Sequence, residues 1–247
     1  MQSSSILMSS DFVLAGRVLR VYTTGGTALD IQLLHFDATR FDTDAFAASG
    51  IICPRAIACS VSKRQAEFLC GRLAARLAMS RVADTYTHCE IAIGPAREPI
   101  WPEGLTGSIS HCTDMAAAIA VPAALGLQGI GIDIEHVVEG EALRAVLDSA
   151  VNADETRVLD RTPSRYTHAQ LTTILFSAKE SFYKSVYANV ARFFDFSALS
   201  LDALDVDSGR VWFLLTDTLS ERLVLGHRVE LGFDLLDEDT VLTHHLW

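Results

Sequence analysis

Gly129-Ile130-Gly131-Ile132-Asp133-Ile134-Glu135 sets isoleucines against glycines and two carboxylates at a period of two. A strand with that period projects Asp133 and Glu135 from one face and Ile132 and Ile134 from the other. Two neighbouring acids on one face repel, and neither belongs to the residues that favour strands. A divalent cation between them removes the conflict, because carboxylate oxygens are hard ligands suited to Mg²⁺. A half-exposed strand with an acidic outer face explains the same pattern equally well. The stretches on either side weigh on the choice.

Downstream, a long helical pattern runs from about Thr167 to Tyr187, with Leu171, Ile174, Leu175, Ala178, Phe182 and Val186 as its apolar face. Glu180 and Lys184 stand at i, i+4 and point the same way, while Lys179 is rotated by about a hundred degrees from Glu180. Alone, that pair reads as a surface ion pair worth about 0.3–0.5 kcal/mol. Before it, Glu141 to Ser149 is amphipathic, and Asn152 caps a short helix running to Leu159. After it, Arg210–Thr216, His227–Leu236 and Thr240–Leu246 read as strands.

Upstream, the spacing predicts a helix from about Val61 to Met79, with Ser62 and Gln65 in the form of a capping box. Leu69, Leu73 and Leu77 make its buried stripe; Arg64, Phe68, Arg72 and Arg76 follow the same step on an adjacent face, with Lys63 beside them. That basic face is either solvated or the place for a phosphate-rich ligand. His88 to Gly94 reads as a strand, Arg97 to Gly104 as a Pro-rich loop, and Gly107 onward as a strand ending at Ser110-His111. Met115 to Val121 is a buried strand or a short helix, its alanines leaving both open. Ile31 to Phe36 reads as a strand and Phe41 to Ala48 as a short helix closing near Gly50. Residues 1–30 are weakly patterned around a turn at Gly25-Gly26. The division between two halves is expected at residue 125, giving 1–125 and 126–247.

The 247 residues suffice for one large domain or two modest ones. With 49% hydrophobic and 21% charged residues, the composition is that of a soluble globular chain. No apolar run approaches a membrane span, and the N-terminus reads as neither basic n-region nor apolar h-region. Cysteines 53, 59, 70, 89 and 112 are odd in number and form no C-x-x-C pair, which points to a reducing, cytoplasmic setting. A net charge of -11 disfavours nonspecific binding to nucleic acid or anionic membrane, so a polyanionic ligand needs a local basic patch.

Taken together, Ser62–Arg76, Arg97–Cys112 (with its S-I-S-H), G-I-D-I-E at 131–135 and F-S-A-K-E-S-F-Y-K at 176–184 resemble the 4′-phosphopantetheinyl transferases of the surfactin-synthetase-activating type, closest to the enterobactin synthase component D branch. The resemblance spans roughly residues 62–196. It implies an α+β fold of two similar pseudo-symmetric halves, each a small antiparallel sheet with a long helix, and a cofactor cleft between them. The first half would carry the coenzyme A phosphate site and the second the metal site and signature helix. The implied reaction moves the phosphopantetheine arm of coenzyme A onto a serine of an apo carrier protein and releases adenosine 3′,5′-bisphosphate.

By position, the resemblance makes Asp133, Glu135 and Glu180 ligands of Mg²⁺ or Mn²⁺, Glu180 also the base for the carrier serine, and Lys184 a pyrophosphate contact. Arg64, Arg72, Ser110 and His111 fall to the nucleotide-phosphate site; Arg97 and Lys179 are further phosphate contacts. The chemistry asks for the same types. A cation neutralises charge on a diphosphate, Arg forks suit a phosphate monoester, and a carboxylate takes a serine proton. The implied partners are coenzyme A and a carrier domain, as for nonribosomal peptide or siderophore assembly, met by a monomer with no nucleic-acid ligand. The run Arg192-Phe193-Phe194-Asp195-Phe196 offers either an apolar carrier-docking patch or core. A Mg²⁺-dependent phosphohydrolase and a non-catalytic carrier-binding module are the competing readings.

Overall fold

A computed structural model describes residues 11–247, and the chain divides into two compact units, Met1–Leu127 and Gln128–Trp247. Residues 1–10 of the weakly patterned N-terminal stretch lie outside the described part.

In the first unit β1 (Val13–Tyr22) and β2 (Ala28–Phe36) form an antiparallel hairpin. Helices α1 (Asp44–Ser49) and α2 (Arg55–Ala58) lead into the long α3 (Ser62–Val82). A two-stranded ribbon, β3 (Ala92–Ile93) and β4 (Pro99–Ile100), precedes β5 (Leu105–His111) and β6 (Met115–Pro122). The four-stranded sheet has the order β1-β2-β6-β5. Helix α3 buries Leu69, Leu73 and Leu77 against Leu34, Phe36, Ala116 and Ala118. The alanines of β6 settle as strand because β6 is paired on both sides and buried throughout, so side chains without bulk let α3 approach.

Three local expectations are corrected here. Ser62 and Gln65 form no capping box: Val61 is the N-cap, and the Gln65 amide donates instead to the carbonyls of Ala58 and Ser60. The strand expected over 88–94 shrinks to Ala92–Ile93, turned by the tight bend from Gly94 to Glu98. Residues 13–22, unassigned from sequence, form β1, whose Leu14 and Val18 are exposed and therefore left no buried alternation to read.

The second unit opens with β7 (Ile130–His136), then α4 (Gly140–Ala150), α5 (Ala153–Arg161) and the long α6 (His168–Val190). Strands β8 (Leu199–Asp205), β9 (Arg210–Leu215), β10 (Arg228–Leu235) and β11 (Thr240–Leu246) complete an antiparallel sheet of order β7-β11-β10-β9-β8. Asn152 caps α5 as expected, closing a capping box with Glu155, and a second box, not foreseen, joins Thr167 and Gln170 at the start of α6. All six apolar residues expected on the α6 face are buried in the core with Val211, Phe213 and Leu231. In each unit the strand preceding the long helix pairs with the unit's last strand, β2 with β6 and β7 with β11. No helix among the described residues is long and apolar enough to cross a membrane.

Gly131 shows why the deciding stretch carries glycine. A Cβ there would stand 1.9 Å from the carbonyl oxygen of Ser181 and 2.7 Å from the nitrogen of Ser185. Helix α6 therefore lies against β7 backbone to backbone, and that approach brings the acids of the strand to the face of the helix.

Candidate active site

Asp133 turns toward α6 and is 3% exposed. The Lys184 ammonium donates to Asp133 Oδ1 at 2.7 Å and to the Ile132 carbonyl at 3.2 Å. The Ser177 hydroxyl, two turns earlier on α6, donates to Asp133 Oδ2 at 2.8 Å. Glu135 follows Asp133 on the same face of β7, and Glu180 lies one turn before Lys184. Burial first, then the charges of Asp133 and Glu180, push Glu135 up to about 7, with Lys184 opposing. Burial and Asp133 likewise raise Glu180. Lys184 is thus paired with Asp133, and Glu135 and Glu180 feel the charges of both, so three neighbouring carboxylates share one ammonium.

That set fits a hard divalent cation. It offers oxygen donors alone, with more anionic charge than Lys184 balances; burial first, and then the repulsion a cation would relieve, raises Glu135 and Glu180. Asp133, Glu135 and Glu180 are the residues that would hold it.

Lys179 does not join the site. Its Nζ reaches Glu155 Oε1 at 2.8 Å and the Ala150 carbonyl at 2.8 Å, and its side chain is 1% exposed. Glu155 also accepts from the backbone nitrogens of Leu201 and Asn152. The expected phosphate contact is a buried ion pair that ties α6 to α5, because the rotation separating Lys179 from Glu180 carries it inward.

Beside Glu180 is a cavity of about 210 Å³ lined by Tyr183, Phe193, Phe194, Phe196 and Leu199, with Lys179 at its wall. The aromatic run divides. Phe194 is core, edge-on to Phe182 at 6.1 Å, whereas Phe193 is 77% exposed. Phe196 is half-buried, edge-on to Phe176, so Phe193 is the exposed ring of the run.

The first unit gathers the basic residues. Arg64 donates through Nη1 to His111 Nε2, and the same nitrogen stands 3.2 Å from Glu67 Oε2. The Arg72 guanidinium lies over the Phe68 ring at 4.7 Å, and its Nε is buried without a hydrogen-bond partner. Burial and the nearby Arg64 bring Arg72 down to about 10. A buried guanidinium with an unused donor beside a second arginine is a place for an anion. A cavity of about 130 Å³ opens there, walled by Ile51, Phe68, Arg72 and Glu90. Arg76, on the same face, is instead committed to the carbonyls of Ser49 and Gly50. Ser110 is buried on β5, while Arg97 is exposed at the tip of the β3–β4 ribbon with φ of 68°.

Sequence reasoning passed over Glu67, Ser177 and Thr243. The first sat among basic residues and looked like their surface partner. The hydroxyls of Ser177 and Ser181, spaced i, i+4 inside an apolar face, were the available signal for a polar seam.

Comparison with known proteins gives two adjoining matches. Residues 54–121 match the 4′-phosphopantetheinyl transferase N-terminal domain, and residues 129–231 the 4′-phosphopantetheinyl transferase superfamily. The chain is 35% identical over 190 residues to the 4′-phosphopantetheinyl transferase Npt of Nocardia iowensis, covering 74% of this chain and 78% of that one. It is 37% identical over 123 residues to enterobactin synthase component D of Salmonella typhi, a match that spans half of this chain (50%) and about half of the relative (48%). The 4′-phosphopantetheinyl transferase PptT of Mycobacterium tuberculosis is 34% identical over 142 residues, 57% of this chain and 59% of its own.

Proposed function

The chain belongs to the 4′-phosphopantetheinyl transferase family, and from that premise we propose that it moves the phosphopantetheine arm of coenzyme A onto a serine of an apo carrier protein, releasing adenosine 3′,5′-bisphosphate. The observation that supports the reading is the ion pair of Asp133 with Lys184, whose charges both act on Glu135 and Glu180 nearby. Mg²⁺ or Mn²⁺ bound by those carboxylates would supply charge neutralisation on the pyrophosphate.

The chain's own groups take the remaining roles. Glu180, whose proton affinity is raised, suits the base that accepts the carrier serine proton. Lys184 carries positive charge to the diphosphate. Arg64, Arg72, Ser110 and His111 receive the nucleotide phosphates, with the idle Nε of Arg72 as the observation in favour; Arg97 serves as an outer contact. Tyr183 and the phenylalanines beside Glu180 offer an apolar wall to the arm, and exposed Phe193 offers an anchor to the carrier. The name of the Salmonella relative favours a carrier of siderophore or nonribosomal peptide assembly. An odd number of cysteines with no C-x-x-C pair favours work in the reducing cytoplasm, and the family resemblance favours a monomer.

Coenzyme A turnover separates this reaction from hydrolysis. Adenosine bisphosphate release that requires carrier supports transfer; equal release without carrier identifies a phosphohydrolase and overturns the proposal.

A further inference from the structure

Ser177, Thr243 and Ser181 form a seam of hydroxyls between α6 and β11, each 0% exposed. Ser177 Oγ lies 2.8 Å from Asp133 Oδ2 and 3.0 Å from Thr243 Oγ1, and Thr243 Oγ1 lies 2.6 Å from Ser181 Oγ. Ser181 also reaches the Thr243 carbonyl at 3.1 Å. Each hydroxyl has one proton to give. The Ser177 hydroxyl donates to Asp133 Oδ2, so its proton is spent there and Ser177 accepts from Thr243. Thr243 Oγ1 in turn accepts from Ser181, whose single proton is shared between Thr243 Oγ1 and the Thr243 carbonyl.

We infer that Ser177, oriented by Thr243, is a positioning residue that locks the rotation of the Asp133 carboxylate and so decides which oxygen meets the cation. This rests on the metal-site assignment made above. With Oδ2 held by Ser177, Oδ1 is the oxygen turned to Lys184. The seam has little other reason to be polar. Serine and threonine are neutral to unfavourable inside helices and strand interfaces unless their hydroxyls bond, and apolar residues of the same size would pack α6 on β11 as well. Partners of metal-ligating carboxylates act on affinity through the ligand they orient.

Mn²⁺ binding to the full chain, read from the resonance of free aqueous Mn²⁺ by electron paramagnetic resonance, tests the role without reference to turnover. Ser177→Ala and the nearly isosteric Thr243→Val should each weaken Mn²⁺ binding by about 10–100-fold, while Thr243→Ser, which keeps the hydroxyl, stays within a few-fold of the unaltered protein. Thr243→Val decides the matter if Ser177→Ala does not fold. Folded variants that bind Mn²⁺ as the unaltered protein does, with only a lowered melting temperature, reduce the seam to packing and overturn the positioning role alone. An unaltered chain that binds no Mn²⁺ overturns the metal site, and this role with it.

Discussion

Lys179 and Lys184 stand on the same helix five positions apart, and their environments give them opposite work. Lys184 keeps a 29% exposed side chain at the edge of the acidic cluster, whereas Lys179 is sealed against Glu155. Burial lowers the proton affinity of Lys179, and only the facing carboxylate of Glu155 keeps it an ion. Removing one member of such a pair leaves an uncompensated buried charge. Lys179→Met should therefore cost about 3–5 kcal/mol of stability, with KM for coenzyme A unchanged in the fraction that folds. An unaltered denaturation midpoint together with a raised KM would restore Lys179 to the phosphate site. Strand alternation put Asp133 and Glu135 on one face, and i, i+4 spacing put Glu180 beside Lys184, without help from the rest of the fold; that the four belong to one site was implied by the family resemblance. It hid the role of Lys179 because the partner, Glu155, sits on another helix. There Glu155 looks like the closing residue of a capping box and is one, through Asn152, while also holding the lysine.

Between elements, the close contact of α6 with β7 positions the cluster, and Gly131 permits it. Gly131→Ala should destabilise by about 3 kcal/mol, because the neighbours it meets are backbone atoms that cannot rotate away; a loss below about 1 kcal/mol would show that helix and strand have room to part. Strand β11 supplies a second test. Burial first, then the charges of His244 and His227, brings His245 down to about 3, and burial first, with Arg210, brings His244 to about 4. The folded chain refuses protons that the unfolded chain accepts near the ordinary histidine value, so this stability is whole above about pH 6.5 and is lost as pH falls toward 4. At pH 5 each histidine costs about 2 kcal/mol. His245→Phe keeps a ring against Phe182 and Trp247 and should flatten part of the fall in denaturation midpoint between pH 7 and pH 5. Equal slopes in variant and parent would contradict the buried neutral histidine. The long helices were legible from periodicity; β1 and β8 were not, because neither is buried along a clean alternating face.

Across the whole molecule the -11 charge sets the terms of partnership. A carrier of like sign would be repelled at long range unless a local basic or apolar patch offsets it, and we propose that apolar contact does so here. Phe193 is the exposed aromatic placed to serve, and Phe193→Ala should raise KM for the carrier several-fold while leaving KM for coenzyme A alone; equal change in both would assign the residue to the arm's pocket instead. Phe194 in the same run is core, a distinction invisible in Phe193-Phe194-Asp195-Phe196, where nothing local says which ring turns inward. The two-unit α+β architecture was legible through its motifs, each of which falls on a regular element. What sequence could not show were contacts made far along the chain, Ser177 with Asp133 and Lys179 with Glu155. The central claim is that three carboxylates and one lysine transfer a phosphopantetheine arm. Its most direct test is the intact mass of apo carrier proteins incubated with coenzyme A, Mg²⁺ and either this chain or its Glu180→Gln variant. A gain of one phosphopantetheine on the carrier serine, present with the unaltered chain and absent with the variant or with chelator, is the predicted result. A full mass gain with the folded Glu180→Gln variant, or none with the unaltered chain on any carrier, would contradict it.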